Sequence, residues 1–340
     1  VPSEWGIGFD GRKVEVVCSC PSGGKKTVTF YDMVSGKTKS CGCLKPGENE
    51  FSPESEVRDY VKSLASDTCE GSSLICEDSK HEYDVYIGSK KFAVEYHGLW
   101  CHSAMLSYDE PDEEKRKATV LRDSKKYKLA CSKGDRLIQI YGDEWEDPDT
   151  REVIKGMIQD VVAPSPKVRI TPTFEFKVGR TPREALEFLD KNHYLGGGKA
   201  GGGRLSVIAR HHTAIVGVWV FKKKDGAIMW HRACWDRKYK SWNPHEKALK
   251  MAVPLLKEMG FKRMVTFSDN RFHTGALYEK LGFTFEEELK PDYYYTKQHR
   301  RVDKGNFRVP AGVNEEEAAA AKGWYRIYDS GKKRFSLPLI

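Results

Sequence analysis

The run EYDVYIGSKKFAVEYHGLWCH, Glu82 to His102, gathers more chemically capable side chains than any other stretch of the chain. Asp84 and Glu95 supply carboxylates, and His97 and His102 supply imidazoles. Two carboxylates can hold a hard divalent cation, the cation polarises a phosphate and its own bound water, and an imidazole takes the water's proton. These residue types together suit metal-dependent phosphodiester cleavage.

The elements around them must bring them to one place. Tyr83 to Ile87 and Phe92 to Tyr96 are rich in β-branched and aromatic residues and flank Gly88-Ser89, which predicts a β-hairpin. With a two-residue loop, Asp84 lies opposite Ala93, and alternation then puts Asp84, Glu95 and His97 on one face. A three-residue loop breaks that arrangement. The plainer alternative is a half-buried hairpin whose polar residues are solvated.

VEYHGLWCHS resembles the segment of the very-short-patch mismatch repair endonucleases in which two histidines bracket a Gly and an aromatic pair. It resembles still more the related phage homing endonucleases of the PD-(D/E)xK-like group. The resemblance implies Asp84 as the central metal ligand, Glu95 as ligand or orienter of Mg²⁺, and His97 and His102 as base and acid. Which histidine is the base stays open. It further implies that Asp123, Lys125 and Lys126 are polar active-site or phosphate-contacting groups, with helix-surface charge as the alternative.

Upstream, Cys18-Ser19-Cys20 and Cys41-Gly42-Cys43 form two thiol pairs about a segment, KTVTFYDMVSGKTKS, that reads as a hairpin turning near Ser35-Gly36. Paired thiolates at this separation suit a structural tetrahedral Zn²⁺. SGKTKSCGCL resembles the N-terminal zinc module of the phage enzymes, which implies phosphate contacts from Lys37 and Lys39. Next, SPESEVRDYVKSLA predicts a helix with Ser52 as N-cap and Pro53 at its first position. Glu56 lies in its first turn, where the helix dipole favours an acid; the resemblance makes it a further active-site candidate. The order helix, hairpin, helix, strand (RLIQIYGDEW), helix (TREVIKGMIQDVV) is that of an α/β core on a mixed sheet.

Composition changes at the linker Ala163-Pro-Ser-Pro166. Net charge is +8 overall, distributed as +1 over residues 1–50, −8 over 51–165 and +15 over 166–340, and a polyanion would be held by the basic half. Beyond the linker, TPREALEFLDKNH reads as a helix capped by Thr181, followed by the Gly-rich loop GGGKAGGG and an alternation of strands and helices ending in ALYEKLGF. That succession resembles the GNAT acetyltransferase fold, and more specifically the C-terminal domain attached to the phage nucleases. Backbone amides of a glycine-bearing turn would hold a cofactor pyrophosphate, but CWDRKYKSWNPHEKAL has no glycine, so acetyl-CoA is not expected as a partner. Basic side chains there are interleaved with tryptophan and tyrosine, which suits phosphate contact with stacking and makes Arg237, Lys238, Lys240 and Arg271 DNA-binding candidates.

Hydrophobic residues make up 39% and charged residues 31% of the chain, and nine cysteines argue for thiols and metal ligation over a disulfide framework. No apolar run is long enough to span a bilayer and the first residues lack a signal-peptide pattern, so a cytoplasmic protein with no membrane partner is expected. The expected fold class is multi-domain α/β: a zinc-bound β module (1–48), a very-short-patch-repair-like endonuclease core (49–165), a GNAT-like α+β DNA-binding domain (170–305) and a C-terminal strand and tail (306–340). Taken with the resemblance, this gives the expectation of a homing-type endonuclease acting on double-stranded DNA with Mg²⁺, leaving 5′-phosphate and 3′-hydroxyl ends. The alternatives are a DNA-base acyl transferase working through the GNAT-like domain and a non-catalytic zinc-dependent DNA-binding protein.

Overall fold

The computed structural model describes residues 13–17, 25–29, 52–75, 80–107, 112–198, 205–307 and 309–339. Chain contacts divide into two compact units, Val1–Glu56 and Val57–Ile340. In the first unit, β1 (Lys13–Val17) and β2 (Lys25–Thr29) pair antiparallel, with Lys13 opposite Thr29 and Val17 opposite Lys25. The turn expected near Ser35-Gly36 lies outside the described residues. Cys18, Cys20, Cys41, Cys43, Lys37 and Lys39 lie outside the described residues. Helix α1 (Pro53–Leu64) begins as expected, with Ser52 Oγ accepting from the Ser55 amide at 3.1 Å.

The larger unit carries two main sheets. The first orders β3 (Thr68–Ile75), β4 (Lys80–Ile87), β5 (Phe92–His97) and, after α2 (Glu113–Ser132), β6 (Arg136–Tyr141). Its β5–β6 pair is parallel and the others antiparallel, so the sheet is mixed. Period-two alternation divides it: Val85, Ile87, Phe92, Val94, Ile138 and Ile140 pack with Val57 and Val61 of α1 and with Ile154 and Ile158 of a later helix. Ala93 and Leu137 on the opposite face meet Tyr127 and Ala130 of α2. Two further helices follow, α3 (Gly142–Glu146) and α4 (Pro148–Val162), the second capped by Asp147 and opened by Pro148.

After the short β7 (Val168–Arg169) the chain builds the second sheet from β8 (Thr173–Val178), β9 (Leu205–His211), β10 (Ala214–Lys224) and β11 (Ala227–Trp235), with α5 (Arg183–Asn192) between β8 and β9. Helix α5 starts at Arg183 with Pro182 at the cap position, one residue beyond the expected Thr181. Then come β12 (Tyr239–Lys240), α6 (Pro244–Glu258), β13 (Arg263–Asp269), α7 (Ala276–Lys280) and β14 (Thr284–Leu289). β15 (Tyr293–Lys297), β16 (Arg300–Asp303), α8 (Glu315–Ala320) and β17 (Tyr325–Tyr328) form a small three-stranded sheet with its helix. The last strand, β18 (Lys332–Pro338), returns to the second sheet, whose order is β14-β18-β13-β11-β10-β9-β8. Residues 332–338, expected as part of a tail, are thus an interior strand. Helix α6 covers one face through Ala248, Leu249, Ala252 and Leu256, and α5 covers the other through Ala185, Phe188 and Leu189.

The two sheets belong to one unit despite the Pro-rich linker. Gln139 N donates to Arg271 O at 3.0 Å and Tyr141 Oη donates to Tyr328 O at 2.9 Å. At the same seam the Arg271 guanidinium bonds both Glu144 oxygens, at 3.0 and 2.9 Å, and Arg301 bonds Asp143 and Glu144 at 3.1 and 2.9 Å. Asp143 and Glu144, near the end of the run RLIQIYGDEW, are the anionic half of this seam.

Candidate functional site

Two places hold convergent polar groups. The first lies under α2. The hairpin turns through four residues, Gly88 to Lys91, with Lys91 in the left-handed region at φ 47°, and pairs Ile87 with Phe92 and Val85 with Val94. The register is two residues away from the expected one, and because two is a whole period the faces are unchanged. Asp84 sits beside Glu95, and side chains continue where the ladder stops: Asp84 N donates to Glu95 Oε1 at 3.0 Å and Tyr96 N donates to Asp84 Oδ2 at 2.7 Å. Glu95 Oε2 takes a bond from Lys126 Nζ at 2.5 Å. Burial, and after it the Asp84 charge, push the Glu95 carboxyl up to about 8 against the pull of Lys126.

His97 points from the same face into a fully buried position. The backbone past it folds back, His102 N donating to Gly98 O at 3.1 Å, so that the two imidazoles stack with centroids 4.1 Å apart. Helix α2 delivers Asp123 between them: Oδ2 is 2.9 Å from His102 Nδ1 and 3.7 Å from His97 Nδ1. Arg122 Nε donates to Asp123 Oδ1 at 3.2 Å, and its Nη2 lies 2.9 Å from His102 Nδ1. Burial pushes His97 well below the usual imidazole range. Burial works to raise the Asp123 carboxyl, but His97, His102 and Arg122 outweigh it and hold it well below the usual carboxylate range.

The structure therefore brings Asp84, Glu95, His97, His102, Asp123 and Lys126 together. Lys126, expected to contact DNA, is largely buried and occupied by Glu95, whereas Lys125 is exposed. Arg122 was missed; nothing in its spacing distinguishes it from other helix-surface cations. Glu56 is exposed in the first turn of α1.

The second place is a cavity of about 570 Å³ in the other sheet, lined by Tyr194, Trp230 to Trp235, Phe267 to Asp269 and His273 to Tyr278, and closed at one end by Arg136 and Met157. β11 and β13 are parallel neighbours, and the pairs Ile228–Met264 and Met229–Val265 are where they bond. Beyond those pairs, Trp230 to Trp235 of β11 and Phe267 to Asp269 of β13 line the cavity. Burial keeps the Tyr278 phenol above its usual range and pushes His231 down to about 4. His231 Nδ1 is buried with no hydrogen-bond partner among the described residues.

Two of the expected DNA contacts are corrected here. Arg271 is 2% exposed and bonds Glu144 and Asp269, so no phosphate reaches it. Arg237 turns inward, Nη1 donating to Val153 O at 3.0 Å, and its guanidinium lies against Gly156 of α4. Lys238 and Lys240 are exposed.

No protein-family model and no curated protein matches the chain. Solved structures similar to it include a GNAT family acetyltransferase from Elizabethkingia anophelis with acetyl-CoA bound, at 19% identity, covering 49% of this chain and 97% of that one with a TM-score of 0.33. An IAA acetyltransferase from Bacillus cereus is similar at 16% identity over 49% of this chain and 99% of that one, TM-score 0.32. The ribosomal-protein-S18-alanine N-acetyltransferase from Escherichia coli is similar at 12% identity over 50% and 94%, TM-score 0.32. The likeness is to acetyltransferases, one of them described with acetyl-CoA bound. The expectations of a homing-type endonuclease, of double-stranded DNA as its partner and of no acetyl-CoA run against this likeness, since the similar structures are titled acetyltransferases. About half of the chain is covered by this likeness to acetyltransferase structures.

Proposed function

We propose that the chain is an acyl transferase whose thioester donor lies between β11 and β13. One observation carries the reading: a parallel pair bonded at Ile228–Met264 and Met229–Val265 lines, with its later residues Trp230 to Trp235 and Phe267 to Asp269, a cavity of about 570 Å³. Thr266 Oγ1 donates to Trp230 O at 3.1 Å; beyond that bond, inner strand edges that do not bond each other leave N–H and C=O groups to be satisfied, and an extended, amide-bearing ligand can bond them as an added strand. The pantetheine arm of acetyl-CoA is such a ligand. In the transfer, an amine attacks the acyl carbon, the C–N bond forms and the C–S bond breaks. Tyr278, held protonated by burial, gives its proton to the departing thiolate. His231, held neutral and with Nδ1 unpartnered among the described residues, accepts the proton of the attacking amine.

The turn after β11 has no glycine, and Arg237 is committed to α4, Arg232 to Gly196 O and His231 O, and Lys332 to Asp329, so donor phosphates would be met by Arg136 at the cavity. Calorimetry with acetyl-CoA and a transfer assay on amine acceptors test the reading. Tyr278→Phe is expected to keep donor binding and lose roughly 10²–10⁴-fold in turnover. Failure to bind acetyl-CoA even at about 1 mM would remove the reading.

Two metal expectations stand beside it as proposals resting on sequence. Cys18, Cys20, Cys41 and Cys43 would hold one Zn²⁺, checked by elemental analysis of a variant with two of them changed to Ser. Mg²⁺ at Asp84 and Glu95 would require Lys126 to leave Glu95 Oε2, so Lys126→Ala should strengthen Mg²⁺ binding.

A further inference from the structure

We propose that His97, His102 and Asp123 form a divalent transition-metal site in the first sheet, separate from the acyl-transfer cleft, with Zn²⁺ as its best-fitting ion. One ligand atom from each, the two imidazoles and the carboxylate, lies within 4.8 Å of the others. Ligands about 2.1 Å from a tetrahedral zinc are about 3.4 Å apart, and the separations of 2.9 and 3.7 Å from Asp123 Oδ2 to the two Nδ1 atoms bracket that value. Two nitrogens and one carboxylate oxygen suit a borderline ion such as Zn²⁺, whereas Mg²⁺ prefers oxygen.

Two independent observations point to an ion. The first is His97: both ring nitrogens are buried and neither has a hydrogen-bond partner among the described residues, although the side chain is aimed at Asp123. A buried imidazole normally has at least one nitrogen satisfied, because an unpaired buried polar group is destabilising. The second is His102 Nδ1, which lies 2.9 Å from a donor, Arg122 Nη2, and 2.9 Å from an acceptor, Asp123 Oδ2. One nitrogen cannot accept from the first and donate to the second in the same tautomer. A cation between the three lone pairs resolves both: His97 gains a partner, and His102 Nδ1 and Asp123 Oδ2 both become electron-pair donors. Arg122 then gives up Nδ1 and keeps Asp123 Oδ1 through Nε, an outer contact that orients the carboxylate. Of the two imidazoles His102 is the less buried, so solvent would supply a further ligand from its side.

The test uses the full chain, stripped of metal, reloaded with Zn²⁺ and freed of excess. His102→Gln is the first variant, since His102 is only partly buried; Asp123→Asn is the second. Each, confirmed folded by circular dichroism, should hold about one zinc fewer per chain than the parent, and zinc should raise the parent's melting temperature more than the variant's. Equal zinc content and equal thermal shift in parent and folded variants would overturn the assignment. Should neither variant fold, proton NMR of the parent decides: Zn²⁺ must shift the ring resonances of His97 and His102, and unmoved resonances refute the site. A zinc lost with the cysteines leaves this measurement untouched, because it compares chains that all keep them.

Discussion

Arg271 shows how far a single side chain can depart from its apparent purpose. Sitting in a basic half of the chain, it reads as a phosphate contact; in the fold it is the buried cation joining Glu144 of α3 to Asp269 of β13. Removing Arg271 leaves Glu144 with Arg301 alone and takes the guanidinium from Asp269, and breaking a buried pair in this way costs about 3–5 kcal/mol. Arg271→Leu should therefore lower the unfolding free energy by that amount, read as a lower urea midpoint at an unchanged slope. A loss below about 1 kcal/mol would mean that water reaches Glu144 in the variant. Charge totals could not foresee this, because they count cations without saying which carboxylates the fold will bring beside them.

At the scale of elements, the contact between α4 and the turn after β11 gives a prediction whose sign reverses. In an exposed helix interior Gly→Ala usually stabilises by about 0.5–1 kcal/mol. Gly156 differs: a Cβ there would meet the Arg237 guanidinium at 2.3–2.5 Å, while that guanidinium is bonded to Val153 O. Gly156→Ala is expected to destabilise by about 1–3 kcal/mol through overpacking, and to become stabilising once Arg237→Ala removes the obstacle. Thermal denaturation of the four chains measures the coupling, and additive changes would contradict it. Elements were the most legible level of the sequence. Ser52 and Pro53 announced α1, the alternating run around Gly88 announced the hairpin, and ALYEKLGF marked α7 with the strand after it. What the pattern left open was register, since the turn length that sets it depends on Lys91 adopting φ 47°. β3 also escaped notice, its TCEGSSLI lacking clear alternation. Within the first site Asp84, Glu95, His97 and His102 were legible from type and spacing. Arg122 and the Glu95–Lys126 pair were not, because they depend on how α2 lies across the sheet.

For the whole molecule the buried imidazoles set an acid limit. His245 Nδ1 accepts from Trp219 Nε1 at 3.0 Å and His193 Nδ1 accepts from the Leu195 amide at 3.1 Å, bonds that protonation at Nδ1 would end. Burial pushes His245 and His231 down to about 4 and His193 well below its usual range. An unfolded chain binds protons at these positions near pH 6.5 and the folded one does not, so between about 6.5 and 4 the unfolded state holds more protons. The stabilisation is complete above that window and falls away as pH drops through it. Melting temperature should therefore decline steadily from about pH 6.5 to 4, and His245→Gln should flatten part of that decline. An unchanged pH profile in that variant would show that His245 contributes nothing.

β18 lies between β14 and β13, pairing Ser336 with both Thr284 and Val265. Residues 332–338 therefore supply the only hydrogen-bonded neighbour that β14 has among the described strands, and they also close one edge of β13. During synthesis on the ribosome, everything from β8 to β14 emerges before the strand that joins its last two members. For that interval the nascent chain carries an open edge on β13 beside the cavity, and open edges are sites for wrong pairing. Completion of the sheet is thus a late, long-range event, and the ribosome's release of residues 332–338 sets the earliest moment at which the cleft can assume its final width.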